Sequence, residues 1–111
     1  MITRIVLFCL AVATWVALAA VMAHAAGCPR AQAMAQEHAN SMHRRNMLDH
    51  ANFADRARRG NLRAENVALA SSLEQAMALW RNSPPHAANM RLPGCKAVAH
   101  SGRYYAMEIS D

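Results

Sequence analysis

The chain has 111 residues and a mass of 12.2 kDa, with 12 Lys+Arg against 7 Asp+Glu, 6 His and 3 Cys. That length leaves no room for a second sizeable domain, and the composition excludes collagen, coiled-coil repeats and acidic disordered chains. The 54% of hydrophobic residues is a misleading average, because the first quarter of the chain carries a single charge, Arg4. Arg4 forms a short positive region, Ile5 to Met22 is an apolar run broken only by Thr14, and Ala23-His24-Ala25 is a small-x-small peptidase pattern. Residues 1–25 therefore read as a signal peptide, with a mature domain over 26–111 exported to the periplasm or secreted. A retained anchor is the alternative, the run being close to the ~20 residues that span a bilayer. Ala25-Ala26-Gly27-Cys28 gives a third reading, a lipobox with a lipid anchor at Cys28. After cleavage no membrane span is expected.

A mature chain starting near Ala26 keeps 11 Lys+Arg and all 7 acids, a formal charge of +4. Cys9 leaves with the signal peptide, so Cys28 and Cys95 remain as an even pair in an oxidising compartment, which suggests one disulfide. It would close a loop of 67 residues and contribute about 4 kcal/mol on the chain-entropy account.

Along the mature chain, Pro29 suits the first turn of a helix, and Arg30 to Met47 is rich in helix formers. Ala31, Met34, Ala35, His38 and Met42 share one face, placing His38 at a semi-buried position. A short helix fits Phe53 to Arg59, ending at Gly60-Asn61. Ser71-x-x-Glu74 reads as a capping box, and Leu73, Ala76, Met77 and Trp80 continue as the core stripe of a helix from about Ser72 to Arg81. Pro84-Pro85 ends it, and His86 to Met90 makes a turn or two before Pro93-Gly94. Lys96 to His100 and Arg103 to Ile109, joined at Ser101-Gly102, alternate as a hairpin with one buried face, on which Tyr105, Met107 and Ile109 lie opposite Tyr104, Ala106 and Glu108. The class is α+β. Six methionines, at 34, 42, 47, 77, 90 and 107, read as gap-filling core residues.

His50, Glu65 and His86 are the polar residues that stand at element boundaries beside apolar neighbours. Histidine titrates near neutral pH and ligates metals, and a carboxylate beside it fixes its tautomer or acts as a base. Their separations of 15 and 21 residues match no local metal motif. On residue chemistry alone, caps or hydrogen-bonded core residues remain the stronger reading.

The strings AQEHANSMHRRNMLDH, AENVA and LWRNSPPHAANM, followed by a terminal RYYAMEI, resemble the CAP superfamily of cysteine-rich secretory proteins, antigen 5 and plant PR-1, in particular its bacterial SCP-like branch. The similarity covers roughly Ala31 to Ile109. It implies a minimal α-β-α sandwich with a C-terminal β-hairpin and a cleft lined by two His and two acidic residues. His50, Glu65 and His86 match three of these positions, and Ser83 stands where eukaryotic members place a second glutamate. The resemblance further implies a divalent metal such as zinc between His50 and His86. The short Met90 to Gly94 connection implies a shallow cleft, in which water keeps the dielectric high.

Arg44, Arg45, Arg56, Arg58, Arg59 and Arg63 fall within twenty residues and are read as a basic face. Such a face attracts anionic envelope components or lipid by its field; its bland reading is a solvated surface. Export and the lack of interleaved aromatics argue against nucleic acid, and a monomer is expected. Two functions follow. One is a non-catalytic binding or interaction module of the cell envelope; the other is a hydrolase in which His50 and His86 hold a metal and Glu65 handles a bound water.

Overall fold

The computed structural model describes residues 27–111. The segment read as a signal peptide lies outside the described residues. The chain forms, in order, α1 (Pro29–Arg45), α2 (Phe53–Gly60), β1 (Leu62–Leu69), α3 (Leu73–Arg81), α4 (Pro84–Met90), β2 (Cys95–Ser101) and β3 (Tyr104–Ser110). The strands make one antiparallel sheet in the order β1-β3-β2, so the α+β class and the C-terminal hairpin stand.

Alanine makes the first layer possible. Ala31, Ala35 and Ala39 line the buried side of α1 with His38 and Met42, and their small side chains let the helix lie close to Val67, Ala99, Tyr104 and Ala106 of the sheet. The opposite face packs Ala68, Tyr105, Met107 and Ile109 under Ala76 and Trp80 of α3. α1 ends at Asn46, whose left-handed backbone (φ 54°) turns its N–H back to the carbonyls of His43 and Met42. The helix therefore stops short of Met47, which is 56% exposed and not a core residue as its type suggested. The cap of α3 is Ser72, whose side chain accepts from the Gln75 N–H at 3.1 Å. Gln75 reaches back to the N–H and hydroxyl of Ser71. The capping pair thus sits one residue later than Ser71 and Glu74.

At both edges of the sheet side chains engage outward carbonyls, two on β2 and one on β1. On β2, Gln32 and Gln36 of α1 donate to the carbonyls of Val98 and His100, each at 3.0 Å, because the four-residue helical step matches a two-residue strand step. On β1, the indole N–H of Trp80 donates to the Val67 carbonyl at 3.1 Å. Trp80→Phe keeps the six-membered ring but removes the pyrrole ring with its donor, leaving a buried acceptor unmet and a small cavity, so it should lower stability by at least about 1–3 kcal/mol in urea unfolding. An unchanged midpoint would show that the bond contributes nothing.

Cys28 and Cys95 form the expected disulfide, with Cα atoms 5.9 Å apart, and tie the start of α1 to the start of β2. Just before β2, Gly94 has φ 119°, and a Cβ there would sit 1.9 Å from the Ser110 carbonyl oxygen, a place only glycine fits. Among the described residues no helix is long and apolar enough to cross a membrane.

The hairpin was to bury one face, but all seven residues of β3 are buried. β3 is the central strand, with helices on both sides of it, so alternation between faces becomes alternation between two cores. Glu108, assigned by its period to the open face, is fully buried.

Candidate functional site

The burial of Glu108 creates the most unusual polar cluster in the molecule. Glu65 and Glu108 are directly paired across β1 and β3, both buried, where two ionised carboxylates would repel. Contrary to its reading as a boundary residue, Glu65 lies inside a strand. Arg56, 4% exposed, enters from α2. Its Nε donates to Glu65 Oε2 at 3.0 Å, and its Nη2 donates to Oε1 at 2.9 Å and to Oε2 at 2.8 Å. Arg56 Nη1 donates to the Ala51 carbonyl. His50 Nδ1 donates to Glu65 Oε1 at 2.9 Å. The neighbours of His38 Nε2 are the Asp49 carbonyl at 2.7 Å and Glu65 Oε1 at 3.5 Å. Both are acceptors, so Nε2 carries the proton.

Electrostatics then divides the two glutamates. Burial pushes Glu65 up, but hydrogen bonds from Glu108, His50 and the Arg56 guanidinium outweigh it and hold the carboxyl below its ordinary value. Burial, together with the hydrogen bond to Glu65 and the charge of Glu65, pushes Glu108 up to about 10 against the opposing pull of Arg56. One carboxylate is ionised and the other is kept as the neutral acid, a donor facing Glu65. As a carboxylate Glu108 would have no hydrogen-bond partner, and its nearest cation, Arg56 Nε, is 3.9 Å away. Burial lowers His38, more than the Asp49 carbonyl and Glu65 raise it.

The structure brings His50 and Glu65 together and places His86 in a second polar network. His86 Nδ1 and Ser83 Oγ are 2.7 Å apart. The His86 carbonyl accepts from Asn66 Nδ2 at 3.0 Å, and Asn89 donates to Asn66 Oδ1 at 2.9 Å. Glu65 and Asn66 are successive strand residues and point to opposite faces. Consequently Glu65, beside His50, and Asn66, beside His86, serve different layers.

The residues present fit a catalytic metal poorly. The imidazoles of His50 and His86 keep Nε2 while Nδ1 is engaged, as when a hydrogen-bond partner orients a ligating ring, but a catalytic zinc site takes three protein ligands. Among the described residues no group of three or more His, Cys, Asp or Glu side chains is placed to hold an ion. Glu65 offers no free oxygen either, since both are saturated by donors.

The basic face is also changed. Arg56 is buried, Arg45 pairs with Asp49, Arg58 and Arg59 with Asp55, Arg59 with Glu37, and Arg63 with Asp111. Of the six arginines, Arg44 makes no ion pair with a described residue. Arg56 was the functional residue that charge counting misassigned. Its signal was the spacing Phe53, Arg56, Gly60, an inward stripe of which Arg56 and Gly60 are buried. No family of known proteins, no curated protein and no solved structure matches the chain, so the resemblance to the CAP superfamily rests on its motifs.

Proposed function

We propose that the chain is an exported CAP/SCP-like domain acting as a non-catalytic binding or interaction module of the cell envelope. The observation that carries this reading is the state of Glu65, buried with both oxygens occupied by Arg56 and His50. A general base needs a lone pair within reach of the proton it takes, and Glu65 has none to offer. The disulfide supports export, because such bonds persist in oxidising compartments. Saturable binding of the oxidised domain to anionic envelope material, with no turnover of it, is the expected result. Absence of saturable binding to lipids, glycans and envelope fractions overturns the reading.

The rival metal-dependent hydrolase draws support from the engaged Nδ1 atoms of His50 and His86. Calorimetric zinc titration of the wild type and of the His50→Ala/His86→Ala variant separates the two. We expect no one-to-one site that depends on this pair. A saturable site lost in the variant would put the hydrolase first.

A further inference from the structure

Between α1 and α2 runs a polar groove whose floor is the outer side of the buried cluster. His38 and Arg56 form that floor, and both are more than nine-tenths buried. One end is closed by Arg59, which clasps Glu37 at 2.6 Å. Around the opening stand Ser41, Arg44, Asn52 and Asp55, the last with its charge matched by Arg58 and Arg59.

Three observations converge on a ligand. First, His38 Nδ1 is buried without a hydrogen-bond partner. Since Nε2 carries the proton, Nδ1 is a lone pair that calls for a hydroxyl or amide donor. Second, Arg44 makes no ion pair with a described residue, although the five other arginines of its stretch are matched to acids. Third, Asn52 stands before α2 with no capping bond from its side chain, so its amide is available as donor and acceptor. Arranged charged pairs, an amide and a lone-pair acceptor suit a ligand rich in hydroxyl groups, each both donor and acceptor; the unmatched guanidinium suits one anionic group.

We infer that this groove binds an acidic sugar residue, its hydroxyls bonded to the floor and rim and its carboxylate to Arg44. This rests on the binding-module reading and names its ligand class. The chemistry is shared by a free sugar acid and by a residue within an anionic polymer.

The test is a 15N–1H NMR titration of the full oxidised chain with glucuronate, with glucose, with acetate, and with an oligoglucuronate. Glucuronate should shift resonances of Ser41, Arg44 and Asn52 saturably, and bind about tenfold more tightly than glucose; acetate should not saturate. Arg44→Gln, at an exposed position, should keep the fold and bring glucuronate down to the glucose level. Tighter binding of the oligomer than of the monomer assigns the site to a polymer, and equal binding to the free sugar. Absence of shifts in the groove, or a glucuronate preference that survives Arg44→Gln, overturns the inference. Saturable oligomer binding elsewhere on the surface overturns the groove but leaves the binding module standing. Cleavage of the oligomer overturns the non-catalytic reading alone.

Discussion

Glu65→Ala should lower the stability of the fold by about 3–5 kcal/mol, the cost of leaving a buried guanidinium without its partner. Arg56 is 4% exposed and spends two of its three nitrogens on Glu65. Removing the carboxylate strands that charge in the layer between α2 and the sheet. One group is placed to soften the loss. Glu108 Oε1 lies 3.9 Å from Arg56 Nε, and without Glu65 its own repulsion disappears, so it can ionise and take over the pairing. Glu65→Ala alone should therefore fall at the low end of the range. Glu65→Ala/Glu108→Gln, which removes the substitute, should fall at the high end. Urea unfolding at pH 7 with unchanged m reads both. A loss under about 1 kcal/mol in the double variant would show that the cluster does not hold the fold. Binding in the α1–α2 groove, measured where each variant is folded, separates this structural role from a functional one.

Local signals along the chain account for the helices, the hairpin and the disulfide. Pro29 and the alanine stripe place α1, Asn61 ends α2, and Trp80 with Ala76 orients α3, because each of these is decided by periodicity or by a cap within a few residues. What local signals miss is the central position of β3. The alternation of Tyr104 to Ile109 is the same whether one face of the strand is open or both are covered, since period alone distinguishes faces and not their surroundings. The decision lies in β1 joining the sheet on the far side of β3, a pairing between residues some forty positions apart. Glu108 was misplaced for that reason. Arg56 was misplaced for a related one: an arginine in an arginine-rich stretch reads as surface until a carboxylate from another element is seen above it. His50 and Glu65 could be brought together only by resemblance, as their bond spans 15 residues. His86 stood out by its place at an element boundary, and the structure gives its side chain to Ser83, the residue at which the motif departs from the eukaryotic pattern.

The neutral state of Glu108 gives the protein an unusual pH dependence. Its folded value, pushed up to about 10, lies far above the ordinary 4.5. Between these limits the unfolded chain has lost the proton that the folded chain keeps, so unfolding releases a proton and stability falls as pH rises. Glu65 acts in the opposite sense. Its folded value lies below 4.5, so its contribution is present above that pH and is lost on acidification. His38 is lowered from 6.5. Below 6.5 the unfolded chain gains a proton that the folded chain refuses, and stability falls as pH drops. Just below 6.5 the slopes of Glu108 and His38 oppose each other; above 6.5 Glu108 acts without that counterweight. Stability should thus change little just below pH 6.5 and decline by about 1.4 kcal/mol per pH unit from 7 to 9. The groups facing Glu108 are Glu65 and Arg56, and Glu65, held below its ordinary value, stays ionised throughout that window. Glu108→Gln retains a donor toward Glu65 and has no proton to lose, so its stability should be level from pH 7 to 9 and exceed that of the wild type increasingly across the range. Urea midpoints at half-unit steps distinguish the two profiles. Parallel slopes for wild type and variant would mean that Glu108 is ionised in the fold, and that the buried pair carries two charges against a single arginine.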